Sequence, residues 1–204
     1  AVLTISVGRD SRISGPALVD AFIDGVIGSG AHAVNCGLAS TPAMFMSTVF
    51  DKTRYDGAVM LTASHLPFNR NGLKFFTSEG GLDKKDISAI LEMAEDESEE
   101  RGGPNGPKGA ISDFNLIGEY AGFLVDTVRK GVSHPTCYET PLAGFHIVVD
   151  VGNGSGGFYV DQVLRPLGAI TSGSTFLDPD GRFPNHVPNP EDDTVMAFIQ
   201  KAVL

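Results

Sequence analysis

Short apolar runs alternate with amphipathic stretches along most of the chain. Apolar runs of about five to nine residues that are rich in β-branched side chains predict strands, and apolar positions repeated every three or four residues predict helices. The predicted strands cover residues 2–7, 31–36, 57–63, 72–77, 145–151 and 169–177. The predicted helices cover residues 16–27, 41–50, 83–100, 116–130 and 158–167. This alternation is typical of a layered α/β domain with a largely parallel sheet.

Residues 131–144 carry turn-forming residues without any periodicity, so they mark the best candidate for a domain boundary. We predict a first domain over residues 1–133 and a second over residues 141–204. The second unit has about 60 residues, fewer than most α/β domains need, so we expect it to be incomplete. The chain starts on a strand pattern and stops inside a helical pattern, which leads us to expect a longer protein.

The composition narrows the possible partners. The chain has 204 residues, 42% of them hydrophobic, and a net charge of -10. That charge disfavours nucleic acids and anionic membranes as partners, and no apolar run approaches the roughly 20 residues that span a bilayer. The two cysteines are too few for a disulfide framework. We therefore expect a soluble protein in a reducing compartment, either the cytoplasm or an organelle stroma.

The loop after the third predicted strand carries the candidate chemistry. Residues 57–63 are continuously apolar, as in a strand buried on both faces, and open α/β sheets bind ligands beyond the carboxyl ends of their strands. Ser64 follows at that position, and a turn at Pro67 and Asn71 leads back to Lys74. Ser64 and Lys74 could therefore face one cavity. On these residues alone, Ser64 could equally be a turn or capping residue, and Lys74 an edge-strand residue that prevents aggregation.

Four segments resemble motifs of the α-D-phosphohexomutases, the phosphoglucomutase and phosphomannomutase family. TASHLPFNRNGLK at 62–74 resembles the active-serine loop of that family. The other three segments, which follow the order of the family's motifs, are GRDSRISG at 8–15, VVDVGNGSGG at 148–157 and GRFPNHVPNPE at 181–191. The resemblance implies the N-terminal portion of such an enzyme: a layered α/β/α domain with a mixed, mostly parallel sheet, followed by an incomplete second domain of similar type.

The resemblance also implies an activity, an intramolecular phosphotransferase. Such an enzyme moves a phosphoryl group between the 1- and 6-positions of a hexose phosphate through a phosphoserine and a hexose bisphosphate. Ser64 would carry the phosphoryl group, and Mg²⁺ would be the cofactor, bound by one oxygen of that phosphate and by ligands outside this chain. His65 and Lys74 would be catalytic, with Lys74 as general base or acid. The expected substrate- or phosphate-binding residues are Arg9, Arg12 and Asn71.

The chain also departs from the family pattern. Leu66 stands where asparagine is usual, and no aspartate-rich metal loop is present in the sequence. This chain alone is therefore expected to be inactive or nearly so, and a non-catalytic binding module of the same fold is an alternative. A second alternative comes from residues 152–157, which match G-x-G-x-x-G and are followed by Asp178. Between a strand and a helix, that pattern would suggest a dinucleotide-binding protein.

Overall fold

The computed structural model describes residues 2–95 and 108–203. The predicted acidic end of the third helix, residues 96–100, and most of the glycine- and proline-rich segment after it lie outside the described residues. Within the described ranges, none of the helices is long and apolar enough to cross a membrane.

The first unit is built on a six-stranded sheet with the order β5-β4-β3-β1-β2-β6. The strands are β1 Thr4–Arg9, β2 His32–Leu38, β3 Gly57–Leu61, β4 Leu73–Thr77, β5 Gly80–Gly81 and β6 Ile111–Asp113. β1 pairs in parallel with β2 and β3, and β2 pairs in parallel with β6. β4 is antiparallel to both β3 and β5. The prediction of a mixed, mostly parallel sheet is therefore confirmed.

Helices cover both faces of this sheet. The helices of the first unit are α1 Gly15–Gly28, α2 Thr41–Met46, α3 Lys84–Glu95 and α4 Leu116–Val132. On one face, Val19 and Ile23 of α1 pack against Val7 and Val59. On the other face, α2 and α4 pack over Ala58 and Met60 in a larger core. All five residues of β3 are buried, as its continuous apolar run predicts.

The second unit is less regular than the sequence suggests. The predicted strands at 145–151 and 169–177 meet only at two isolated parallel bridges, His146 with Ile170 and Asp150 with Thr175. A turn interrupts the pairing between these bridges, because the Ser174 N–H donates to the Thr171 carbonyl at 3.2 Å. The predicted helix at 158–167 is a π-helical segment at Tyr159–Leu164. Helix α5, Asp193–Val203, completes the described chain.

The two units share one apolar core. Phe158 packs edge-on against Tyr120 of α4 with ring centroids 6.2 Å apart. Leu167 is fully buried in the same cluster as Met44 of α2. A second contact joins residue 181 to Arg12 through an isolated parallel bridge. The carboxyl ends of β1 and β3 therefore lie next to the second unit.

Candidate active site

Ser64 lies three residues beyond β3, at the carboxyl end of the sheet. It is exposed, and its φ of 53° places it in the left-handed region, which non-glycine residues adopt rarely. Its N–H donates to the Thr62 hydroxyl at 3.0 Å. Its own hydroxyl has no hydrogen-bond partner in the part of the chain that the structure describes. Strained residues of this kind occur often at functional sites, and the free hydroxyl leaves this serine open to chemistry.

Arg12 holds the Ser64 loop from inside. Its side chain is fully buried, with 0% of its surface exposed. Nη2 donates to the carbonyls of Ser64 and Leu66 at 2.8 Å each, and Nη1 donates to the carbonyls of Pro67 and Arg70. Nε donates to the Asp10 carboxylate at 3.0 Å, which also balances the buried positive charge. All five N–H groups of the guanidinium are therefore occupied.

Asp10 connects this arginine to the end of β3. Its carboxylate accepts from the Arg12 backbone N–H at 3.0 Å and from the Thr62 hydroxyl at 2.7 Å. Thr62 in turn accepts from the N–H of Ser64. A continuous chain of hydrogen bonds thus runs from β1 through Asp10 and Thr62 to the candidate nucleophile.

A cavity of about 520 Å³ lies between the Ser64 loop and the second unit. From the first unit, Asp10, Thr62, Ser64 and His65 line it. The second unit contributes the glycine-rich turn at 150–156, the segment 183–190 and α5. The volume lies within the usual range of small-molecule sites. The strand end predicted to carry the chemistry therefore opens into a space of the size that binds small molecules.

An ion pair in the far wall of this cavity was not predicted from the sequence. His186 Nε2 lies 3.1 Å from the Asp150 carboxylate, and its Nδ1 lies 2.8 Å from the Val187 carbonyl. Both ring nitrogens face oxygen acceptors, so both bonds form only when the ring is protonated. Burial alone would lower the pKa of His186, but the bond to Val187 and the bond and charge of Asp150 raise it above the ordinary value of 6.5.

The glycine-rich turn uses its polar groups internally. Gly152 and Asn153 adopt left-handed φ values of 55° and 61°. The Asn153 side chain donates to the Asp178 carbonyl at 2.9 Å and accepts from Asn185 at 2.7 Å. Neither the regular strand nor the α-helix that a dinucleotide-binding motif requires is formed around this turn. The turn fits a scaffold for the cavity wall better than a cofactor cradle.

The other predicted residues Lys74, Arg9 and Asn71 do not line the cavity. Lys74 is exposed on β4, directly opposite Met60, which lines the cavity. Arg9 ends β1, and its guanidinium donates to the Asp10 carbonyl at 3.0 Å. Asn71 donates to the Ser14 hydroxyl at 3.1 Å and ties the Ser64 loop to the start of α1. The structure therefore brings Ser64 and His65 into the cavity wall, whereas Lys74, Arg9 and Asn71 lie outside it.

The residues near Ser64 do not form a magnesium site by themselves. No group of three or more His, Cys, Asp or Glu side chains suited to a metal occurs among residues 2–95 and 108–203. Asp10, the carboxylate nearest to the loop in the hydrogen-bond network, is already engaged by Arg12 and Thr62. Dedicated magnesium sites combine carboxylates with phosphate oxygens, so the predicted ligand role of a Ser64 phosphate stays a prediction.

The structure thus combines a layered α/β/α domain, an exposed serine beyond the carboxyl end of β3, and a second unit across the cavity. Two family models match this chain: "Phosphoglucomutase/phosphomannomutase, alpha/beta/alpha domain I" over residues 2–101 and domain II of the same family over residues 125–204. The chain belongs to the phosphoglucomutase/phosphomannomutase family.

Similar proteins carry the same family name. A phosphomannomutase/phosphoglucomutase of Pseudomonas syringae pv. tomato is 34% identical over 188 residues, which cover 91% of this chain and 36% of the relative. A phosphoglucomutase of Neisseria meningitidis serogroup B is 30% identical over 189 residues, 93% of this chain and 37% of the relative. The chain thus spans a little over one third of the length of these relatives.

The fold resembles that of a solved protein. The crystal structure of a phosphoglucomutase/phosphomannomutase family protein from Burkholderia thailandensis superposes with a TM-score of 0.77 at 25% identity. The superposition covers 98% of this chain and 42% of that protein. The prediction of a phosphoglucomutase-type fold followed by a second domain is confirmed, whereas the boundary at residues 133–141 stays a prediction.

Proposed function

We propose that this chain is the phosphoserine-bearing portion of a hexose-phosphate mutase. The observation that carries the proposal is the position of Ser64, which is exposed beyond the carboxyl end of β3, lines a cavity of about 520 Å³, and has a hydroxyl with no hydrogen-bond partner among the described residues. Membership of the phosphoglucomutase/phosphomannomutase family supports it. The substrates are a hexose 1- or 6-phosphate, and a hexose bisphosphate forms as the intermediate.

The proposed transfer has two balanced halves. A sugar hydroxyl attacks the phosphorus of phosphoserine 64, so that the bond between phosphorus and Oγ breaks as a bond to the sugar oxygen forms. The proton of the sugar hydroxyl leaves to a base, and Oγ gains a proton. The resulting bisphosphate then returns its other phosphoryl group to Ser64 by the reverse step. Such transfer depends mainly on positioning and charge stabilisation.

Each residue near the loop receives a role in this proposal. His65, which lines the cavity beside Ser64, stabilises charge on the transferring group. Lys74 acts on the sugar hydroxyl as base or acid. Directly opposed residues in an antiparallel pair have Cβ atoms about 5 Å apart, so the long side chain of Lys74 starts close to Met60, in the cavity wall. Arg9 and Asn71 contribute at the margin of the phosphate site.

Mg²⁺ belongs to the proposal as the family's cofactor, since it would supply positive charge to the phosphoryl group. The described residues do not complete a site for it. We therefore assign it one candidate ligand, an oxygen of the Ser64 phosphate, and derive no step from it.

The test uses the full-length protein with Mg²⁺ and glucose 1,6-bisphosphate. Mass spectrometry should find one added phosphoryl group on the peptide that contains Ser64, and the protein should interconvert 1- and 6-phosphates. Ser64→Ala should remove the added group and lower turnover by about 1,000-fold or more, because the nucleophile is lost. The matched control is Ser78→Ala, at an exposed serine outside the cavity wall, which should leave both readouts unchanged.

Two outcomes would contradict the proposal. Undiminished turnover in Ser64→Ala would remove the serine from the mechanism. No turnover with glucose, mannose or N-acetylglucosamine phosphates, together with an unmodified Ser64, would favour the non-catalytic binding module. A titration with nicotinamide and flavin cofactors tests the dinucleotide-binding alternative. Binding at micromolar concentration would support that alternative over the mutase.

A further inference from the structure

The buried arginine beneath the Ser64 loop differs from an ordinary phosphate ligand. Arg12 has 0% of its side-chain surface exposed, and each of its five N–H groups already donates to a protein oxygen. A phosphate could bind Arg12 only by displacing one of these bonds. The role expected from the sequence, direct phosphate binding, therefore does not match the contacts that this side chain makes.

The carbonyls held by Arg12 determine the direction of the loop's N–H groups. The peptide bonds that the structure describes are all trans, and in a trans peptide the N–H points opposite to the preceding carbonyl. The Ser64 carbonyl points inward to Arg12 Nη2 at 2.8 Å. The His65 N–H must therefore point outward, away from the guanidinium. It has no acceptor among the described residues.

The second unit contacts the same guanidinium. The ring of Phe183 lies over it, with the Arg12 Cζ atom 5.3 Å from the ring centroid. Residue 181 forms a parallel bridge with Arg12, and a Cβ atom on Gly181 would lie 2.2 Å from the Ser11 carbonyl oxygen. Only glycine allows this approach. Residues 181–186, the GRFPNH segment, thus pack directly on Arg12, which holds the Ser64 loop.

We propose that Arg12 is a positioning residue that fixes the Ser64 loop with the His65 N–H directed at a phosphoryl group on Ser64, and that Phe183 couples this arrangement to the second unit. The proposal deepens the proposed function and rests on it for the phosphoryl group. An oriented backbone N–H stabilises phosphate charge and costs no reorganisation during transfer. Lysine could not replace Arg12, because its point charge lacks the planar fork that reaches four carbonyls.

The first experiment places phosphoserine at position 64 by genetic encoding and records the amide spectrum of the full-length protein. The His65 amide proton should move downfield on phosphorylation, whereas the Leu66 amide, which already donates to the Ala63 carbonyl at 3.0 Å, should move little. Arg12→Lys should abolish the His65 shift. This readout needs no mutase activity. If the proposed function is wrong, a hexose bisphosphate will not phosphorylate Ser64. If the role of Arg12 is wrong, the encoded phosphoserine will not shift the His65 amide, so the two failures can be told apart.

The second experiment is kinetic and uses full-length protein. Arg12→Lys should lower kcat about 100-fold and change KM less than about threefold, because a misplaced reacting group slows the transfer more than it weakens substrate binding. Phe183→Leu should lower kcat by a smaller factor in the same direction. Arg54→Lys, at an exposed arginine outside the cavity wall, and Phe145→Leu, at a phenylalanine that is 60% exposed, are the matched controls and should be unchanged.

Three results would overturn the proposal. The first is a His65 amide that does not move when Ser64 is phosphorylated in the otherwise unchanged protein. The second is an Arg12→Lys variant that keeps both the shift and kcat. The third is a Phe183→Leu variant with unchanged kcat, which would remove the coupling to the second unit. If Arg12→Lys does not fold, the amide shift in the wild-type protein and the kinetics of Phe183→Leu still test the proposal.

Discussion

His186 and Asp150 form an ion pair whose strength depends on pH. The pKa of His186 is raised above 6.5 in the folded protein. The charged ring therefore stabilises the fold fully below about pH 6.5, the unfolded value, and this contribution disappears as the pH rises through the higher folded value. The pair connects the glycine-rich turn to the GRFPNH segment, so its loss would loosen the cavity wall.

We predict that Asp150→Asn destabilises the protein more at pH 6 than at pH 9. Urea unfolding of wild type and variant at both pH values measures the difference in the free energy of unfolding. The pH effects of all other titratable groups are the same in both proteins and cancel in this difference. The His186 ring should also titrate at lower pH in the variant, as followed by the NMR signal of its Cε1 proton. Asp161→Asn, which removes an exposed pair with an arginine, is the control. An equal loss of stability at both pH values for Asp150→Asn would contradict the assignment.

At the scale of single residues, the sequence identifies candidate functional residues better than it predicts which atoms their side chains contact. The TASH pattern and its position after an apolar strand pointed to Ser64, which lines the cavity in the structure, whereas its catalytic role stays a prediction. The pattern GRDSR could not show that Arg12 would be buried, because its carbonyl partners lie more than 50 positions away in the chain. Leu66 departs from the family pattern, yet its side chain is 47% exposed and only its carbonyl contacts Arg12. The bonds by which Arg12 holds the Ser64 loop therefore do not depend on the identity of the side chain at position 66.

Helix α4 ends in a strained cap. Ser133 has a φ of 46° in the left-handed region, and its N–H donates to the Arg129 carbonyl at 2.9 Å. Glycine is favoured at such positions because it has no Cβ penalty. The helix thus ends with the backbone geometry of a left-handed cap but without the residue that best fits it.

We predict that Ser133→Gly stabilises the protein by about 1 kcal/mol, because the strain of a left-handed non-glycine residue is removed. Ser133→Ala keeps the Cβ atom and should give no gain. Urea unfolding followed by circular dichroism provides the free energies. A destabilised Ser133→Gly variant would show that the serine hydroxyl or a stiffer backbone matters more than the strain.

Elements with strong patterns were predicted and weak ones were not. The apolar run of β3 and the stripe of α4 identify a buried strand and an amphipathic helix because burial requires those patterns. β5 has two residues and β6 three, too few for any periodicity to show. In the second unit, the apolar runs at 145–151 and 169–177 predict two regular strands. The structure has only two isolated bridges between them, because a turn at Thr171–Ser174 interrupts the pairing.

The whole molecule is held together by a core that belongs to both units. Phe158 is 8% exposed and lies in the same cluster as Tyr120 and Met44 of the first unit. A sequence boundary near 131–144 suggests two separable domains, whereas one continuous core implies that neither unit is stable without the other. Cooperative unfolding is the expected consequence, because opening one unit would expose apolar surface on both.

We predict that Phe158→Ala destabilises the protein by about 3 to 5 kcal/mol, the usual cost of removing a buried phenylalanine ring. The loss should appear equally in amide signals from β1 and from residues 145–177 during urea unfolding, since both units contribute to the cavity left behind. Phe145→Ala, at a position that is 60% exposed, is the matched control and should change stability by less than about 0.5 kcal/mol. If the second unit alone melted early in Phe158→Ala, the two units would be independently stable, and the coupling of the Ser64 loop to the GRFPNH segment would rest on Arg12 and Phe183 alone.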